Sequence, residues 1–283
     1  EEREDEGQAE AAVPVAREVR RAEAVSFLPF PTEAITLERG LTLLKGKAST
    51  TMLVGTTSDL VPGKYEGGFK LWEAAVDLIE AVRADMQDGT LSFRRKHVLE
   101  LGCGHGLPGI LACLKGAAVV HFQDFNAEVL LNLTIPNLQA NLAAAAAPPH
   151  ERREHGAGIG ATHVPLDGAS GRPSFCASPR GTAALGHGGG RAGGGGYDII
   201  LTAETVYSPR SMAKLLALVC KCLRRPHGVL YVAGKKHYFG VGGGTRQFKA
   251  LVDQQGSLHG HLLKEVVDGS SNVREVWKFF YQD

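Results

Sequence analysis

The sequence predicts an α/β domain, doubly wound around a mostly parallel seven-stranded sheet with an antiparallel last strand. Three observations carry this. From residue 97 onward, short β-rich runs alternate with helical patterns, as expected for a sheet covered by helices on both faces. The first of these runs ends in a dense cluster of glycines. The last two runs are separated only by Asp268–Asn272. A parallel crossover needs a dozen or more residues, so this short turn forces an antiparallel pair.

Taken in order, Pro62-Gly63 and Gly67-Gly68 introduce a helical pattern. Phe69, Trp72, Val76, Ile79, Val82 and Met86 recur at three- and four-residue spacing, and Asp88-Gly89 closes the stretch. His97–Leu101 reads as a buried strand, Leu107–Leu114 as a helix, Ala117–Gln123 as a second strand, and Ala127–Leu142 as a helix. Thr162–Leu166 is a weak third strand and Tyr197–Thr202 a strong fourth, followed by a helix over Met212–Leu223. Val229–Ala233 is the fifth strand, Arg246–Gln255 a helix, and His261–Val267 with Val273–Tyr281 the terminal pair.

Two regions depart from this pattern. Residues 1–24 hold eight acids against four arginines and no aromatic residue, so they are expected to form a disordered acidic lead. Residues 25–283 are expected to form one domain, with 25–68 as an N-terminal extension short on clear periodicity. Within it, 170–196 is rich in Gly, Ser, Arg and Pro. Such a segment buries too little apolar surface to offset its chain entropy and is expected to be a flexible insertion.

A net charge of +1 gives no general attraction to nucleic acid or to a membrane. No apolar run of about 18 residues exists to span a bilayer. Five cysteines, at 103, 113, 176, 220 and 222, form no disulfide framework, and their odd number argues against secretion. Cys220-Lys221-Cys222 supplies only two candidate ligands, which make no zinc site. No metal is expected.

The chemistry gathers around Val98-Leu99-Glu100-Leu101-Gly102-Cys103-Gly104-His105-Gly106, a strand running into a glycine-rich turn and then a helix. Such a turn lets a ligand approach bare backbone. Asp124, at the end of the next strand, lies 22 residues after Gly102, where a carboxylate can accept both hydroxyls of an adenosine ribose. Taken alone, each feature also reads as a tight turn or a helix cap. Gly104, Gly106 and Gly109 spell a literal G-x-G-x-x-G, yet in a dinucleotide site the first glycine ends the strand. Here that glycine is Gly102, and Leu107 falls where the third would be.

Acid-x-Gly-x-Gly-x-Gly after the first strand resembles motif I of the class I methyltransferases. The terminal strand pair is similar to the end of their Rossmann-like sheet, order 3-2-1-4-5-7-6. The set Tyr65-Glu66-Gly67-Gly68-Phe69-Lys70-Leu71-Trp72-Glu73, His121–Asn126, Ala203-Glu204-Thr205-Val206-Tyr207 and Lys236–Gly244 resembles the histidine protein methyltransferase family over about Asp59–Asn141 and Tyr197–Tyr281. Ala203 replaces an expected serine. The resemblance implies S-adenosyl-L-methionine as cofactor, one histidine of a large-subunit ribosomal protein as acceptor, and a cytoplasmic or nuclear location. It implies no direct contact with nucleic acid. Carried over by residue, Leu71, Trp72, Glu73 and Ala74 line the cofactor site, and Glu100, Gly102 and Gly104 meet the methionine part. Gln123, Asp124 and Phe125 frame the ribose and adenine, Asp167 and Gly168 border the adenine, and Ala203 closes the pocket. Glu204, Tyr207 and His237 are the catalytic candidates.

Plainer readings stand beside these. Trp72 fits the apolar stripe of its helix, Glu204 can cap the helix near Pro209, and His237 can be a turn residue. The alternatives in function are a related protein-lysine methyltransferase and a noncatalytic cofactor-binding module. For histidine, one ring nitrogen must offer a lone pair while the other keeps its proton. The site therefore needs an orienting acceptor rather than a strong base, and Glu204 is the first candidate.

Overall fold

A computed structural model describes residues 17–23, 31–47, 65–147, 172–177, 195–269 and 272–282. Ten strands, five α-helical stretches and two single-turn 3-10 helices (Arg21–Glu23 and Glu38–Gly40) are present among them. In chain order the strands are β1 (Arg17–Val19), β2 (Thr32–Thr36), β3 (Thr42–Gly46), β4 (His97–Leu101), β5 (Val119–Asp124), β6 (Arg172–Ala177), β7 (Ile199–Ala203), β8 (Val229–Lys235), β9 (Leu258–Val266) and β10 (Arg274–Tyr281). The helices are α1 (Glu73–Gln87), α2 (Leu107–Leu114), α3 (Ala127–Val129 continuing through a wider turn at Leu130–Thr134 into Ile135–Ala146), α4 (Pro209–Cys222) and α5 (Thr245–Gln255).

The main sheet has the order β1-β6-β5-β4-β7-β8-β10-β9. From β6 onward this is the expected 3-2-1-4-5-7-6 arrangement, with β10 antiparallel to both β8 and β9. Side chains alternate across the sheet, as strand geometry requires. Val98, Val120, Leu201 and Tyr231 join one core with α1, α2 and α3. Leu99, Ile200, Leu230 and Phe279 join another with α4 and α5. Burying such a Leu, Ile or Phe side chain stabilises by about 1.5–3 kcal/mol.

Two of the expectations need correcting. Arg17–Val19, placed above in a disordered lead, pairs antiparallel with β6. Arg172–Ala177, placed in a flexible insertion, is β6 itself, parallel to β5. Phe175 drives this: it is buried and stacks on Phe122 at 5.4 Å. The third strand is thus β6; Thr162–Leu166 lies outside the described residues, as do Asp167, Gly168, residues 1–16 and most of 170–196. The successive alanines from Ala143 also continue α3 as far as Ala146.

The N-terminal extension contributes the β2–β3 hairpin. It docks on α3 through amide side chains: Asn141 bonds both backbone groups of Leu44, and Asn137 Oδ1 accepts from Gly46 N–H at 2.8 Å. Asn137 also donates to the carbonyl of His105 at 3.0 Å, so the hairpin braces the glycine-rich turn from behind. Among the described residues no helix is long and apolar enough to cross a membrane, and no cluster of metal-ligating side chains occurs.

Candidate active site

The parallel register brings several strand ends to one edge. Leu101 sits opposite Gln123 and Thr202, and Ala203 opposite Ala233. The segments leaving β4, β5, β7 and β8 therefore converge, at the edge where α/β sheets place their ligands. A cavity of about 190 Å³ opens there.

The floor is the turn after β4. Gly102, Gly104 and Gly106 take φ values of +62°, +49° and +73°, a region open to glycine with little strain. Asp124 holds the turn: its Oδ2 accepts Gly104 N–H at 2.9 Å and its Oδ1 accepts Asn126 N–H at 3.1 Å. Asp124 also lines the cavity, at the strand end where a carboxylate can accept ligand hydroxyls. Gln123 Oε1 accepts from Gly102 N–H at 3.2 Å. Glu100 is buried, and its Oε2 accepts from Gly109 N–H at 2.8 Å. Burial first, and then the charge of Asp124, push its carboxyl up to about 8. A β-carbon at Gly109 would lie 2.5 Å from that same oxygen, so glycine here protects the carboxylate's seat.

His105, in the same turn, is buried with Nε2 facing the Phe69 carbonyl at 3.1 Å. The carbonyl can only accept, so Nε2 carries the proton. Desolvation pulls this imidazole down to about 4, and it is a neutral structural residue at physiological pH.

The walls come from α1's entrance and from β7 and β8. Trp72 is half-buried at the N-terminal boundary of α1, and its indole N–H donates to the Gly67 carbonyl at 3.0 Å. Lys70 Nζ stands 4.5 Å and Lys235 Nζ 5.9 Å from the Trp72 ring centre. Trp72 thus faces the cavity and leaves the helix's core stripe to residues such as Leu78 and Val82.

Glu204 follows β7 with φ +57°. For a residue with a side chain this conformation is uncommon and costs on the order of 1–3 kcal/mol. The turn is held by Glu204 N–H to the Ala233 carbonyl at 2.9 Å and by the paired hydroxyls of Thr202 and Thr205 at 2.6 Å. Glu204 Oε2 accepts a short hydrogen bond from the Tyr238 hydroxyl. Its Oε1 is buried and has no hydrogen-bond partner. Burial raises the Glu204 pKa, while Tyr238 and Lys235 lower it. Tyr207 stands edge-on to Tyr238, ring centres 6.3 Å apart.

The structure thus gathers Leu71, Trp72, Glu100, Gly102, Gly104, Gln123, Asp124, Phe125, Ala203, Glu204 and Tyr207 around one cavity. It does not bring Glu73, Ala74 or His237 to its lining. Glu73 is exposed on α1 and Ala74 points into the core, with Ala75 reaching the cavity instead. His237 is exposed at the turn after β8, where its carbonyl receives the Asn272 side chain. The side chain that turns inward is its neighbour Tyr238. Sequence reasoning passed over Tyr238, Lys235, Lys70 and Thr205. The signal for Tyr238 was available, since it lies in the quoted Lys236–Gly244 string.

The donor set suits an adenosine derivative with a charged amino-acid arm: a diol acceptor at Asp124, a buried carboxyl at Glu100, and apolar walls at Leu71, Leu107 and Phe125. Comparison with known proteins agrees. Residues 63–150 match the family model described as lysine methyltransferase. The chain is 38% identical over 219 residues to the histidine protein methyltransferase 1 homolog of Dictyostelium discoideum, covering 77% of this chain and 59% of that protein. It is 33% identical over 255 residues to the mouse (Mus musculus) homolog of the same name, covering 87% of this chain and 67% of that one. It is also similar to mouse EEF1A lysine methyltransferase 3, at 29% identity over 204 residues, 72% of this chain and 68% of that protein. The chain spans 59% and 67% of the lengths of the two histidine methyltransferase relatives. It belongs to the histidine protein methyltransferase family, within the class I S-adenosylmethionine-dependent methyltransferases.

Proposed function

We propose that this chain transfers a methyl group to a histidine ring nitrogen of a protein, and that the protein is a large-subunit ribosomal protein met in the cytoplasm or nucleus. The observation that carries the acceptor chemistry is Glu204: a strained, half-buried carboxylate with one oxygen tied to Tyr238 and the other, Oε1, without a partner, on a residue lining the cofactor cavity. S-adenosylmethionine, when bound, supplies an electrophilic methyl group. Asp124 would take the ribose hydroxyls, Glu100 the ammonium of the amino-acid arm, and the turn at Gly102–Gly104 would pass beneath it. The chain's remaining work is to place the acceptor in line and exclude water, which is where positioning contributes most. Glu204 receives the N–H of one imidazole nitrogen, so the other nitrogen holds a lone pair. Positive charge growing on the ring as it is methylated would be stabilised by the nearby Glu204 carboxylate. The proton on the nitrogen facing Glu204 would then pass to that carboxylate and on to solvent.

A lysine acceptor is the second reading, favoured by the family model's description and the lysine methyltransferase relative. Transfer of tritiated methyl groups to isolated large-subunit ribosomal protein, followed by amino-acid analysis, decides between them. Methylhistidine is expected; methyllysine would refute the histidine assignment. Activity on histidine should fall below about pH 6 as the acceptor protonates, whereas a lysine acceptor would give a rate still rising at high pH.

A further inference from the structure

We propose that Tyr238 is a positioning residue of the acceptor site: acting through Glu204, it commits one carboxylate oxygen and leaves the other to the substrate. This rests on the assignment of Glu204 to the acceptor. The direction of the hydrogen bonds follows from elementary bookkeeping. The backbone N–H of Lys235 points at the Tyr238 hydroxyl oxygen, 3.2 Å away. An N–H can only donate, so the hydroxyl accepts there and its own proton goes to Glu204 Oε2. Oε2 is therefore the accepting oxygen of this pair.

Three features hold the tyrosine in this role. The loop after β8 closes on itself, Tyr238 N–H to the Gly243 carbonyl at 2.8 Å and Gly242 N–H to the Tyr238 carbonyl at 2.9 Å. It is fastened to the segment carrying Glu204 by Gly244 N–H to the Val206 carbonyl, also at 2.9 Å. Finally, Gly234 leaves room for the hydroxyl: a β-carbon there would lie 2.9 Å from the tyrosine oxygen. The groups bearing on Glu204 come from three elements. Lys235 at the end of β8 and Tyr238 in the following loop favour the charged form, as does the Ala74 N–H from α1. Glu73 on α1 and burial oppose it, and Tyr207, from Glu204's own segment, lines the same wall. Without Tyr238 the balance shifts towards the protonated acid, which cannot serve equally as an acceptor.

The test needs no substrate. The protein is labelled with ¹³Cδ-glutamate, the Glu204 signal is assigned by its loss in Glu204→Gln, and its titration is followed by NMR in wild type, Tyr238→Phe and Gly234→Ala. Tyr238→Phe should raise the midpoint by about one pH unit, the equivalent of one ordinary hydrogen bond. Gly234→Ala, which keeps the hydroxyl but displaces it, should shift the midpoint the same way by less. With substrate, Tyr238→Phe should lower kcat at least about tenfold at neutral pH, leave the cofactor Kd unchanged, and add no further loss in a Glu204→Gln background. An unmoved Glu204 midpoint in a folded Tyr238→Phe protein overturns the proposal. So does an equal loss of kcat in the Glu204→Gln background. The titration outcome is independent of which residue is methylated, so a shifted midpoint alongside methyllysine would sustain the Tyr238–Glu204 coupling and reject only the histidine reading.

Discussion

Glu100→Gln should make the protein more stable in mild alkali and worse at holding its cofactor. The Glu100 side chain is 3% exposed, and burial followed by the Asp124 charge raises its pKa from 4.5 to about 8. A carboxyl with a raised folded-state pKa stabilises fully below pH 4.5 and loses that contribution as pH climbs through 8. At 1.36 kcal/mol per unit, the loss is on the order of 5 kcal/mol across the window, of which about 3 has occurred by pH 7. Glutamine keeps an oxygen for the Gly109 N–H but carries no charge, so its stability should be flat where wild type declines. Its new amide N–H lacks a partner and costs about 1–3 kcal/mol at every pH. The two stability curves should therefore cross between pH 5 and 8, a crossing that urea unfolding measured at several pH values would reveal. Cofactor binding reads the same carboxyl a second way. A bound ammonium favours the ionised form, so wild type should release a proton on binding at pH 7. Titration calorimetry in two buffers of different ionisation enthalpy would show this, and Glu100→Gln should abolish it while weakening affinity. Parallel stability curves, or a wild-type enthalpy independent of buffer, would refute the reasoning.

Asp124→Asn offers one acceptor oxygen where the carboxylate has two, so either the Gly104 or the Asn126 N–H loses its partner. Stability should drop by about 1–3 kcal/mol, and cofactor affinity by at least about tenfold as a charge-assisted ribose contact is lost; unchanged calorimetric affinity would remove Asp124 from the site. His105, held near pH 4, contributes stability that is complete above pH 6.5 and lost as pH falls through 4, on the order of 3 kcal/mol. His105→Gln should flatten that acid limb in thermal melts. Phe175→Ala should cost about 3–5 kcal/mol, measured by denaturant unfolding, because Phe175 is buried in β6 against Phe122; a loss below about 1 kcal/mol would show that β6 is not part of the core. Arg274→Met strands the buried Asp77, which receives Arg274 Nε at 2.6 Å, and should cost about 3–5 kcal/mol by the same measurement.

What could be read in advance divides along physical lines. Apart from β6, the strands from β4 onward were legible as short β-rich runs, and the Asp268–Asn272 turn forced the antiparallel ending. β1 and β6 were not, because neither carries that signal. Arg172-Pro173-Ser174-Phe175-Cys176-Ala177 opens on an arginine, a proline and a serine and is flanked by glycine-rich sequence, and it holds its place through one aromatic stack and the edge of β5. Arg17-Glu18-Val19 buries only its valine. Such strands gain their stability from partners that local periodicity does not announce.

The acceptor site shows the same division at the scale of one residue. Glu204 was legible from its place at a strand's carboxyl end. His237 drew attention as an imidazole, yet the chain leaving β8 presents adjacent side chains in different directions. The register that pairs Ala203 with Ala233 also sets Gly234 beside Val206, and that glycine is where the Tyr238 hydroxyl comes to rest. Which of two neighbours enters a cavity is thus decided by a gap left on the strand they follow. A gap of that kind is a missing β-carbon, and it becomes visible only once the strands are laid side by side.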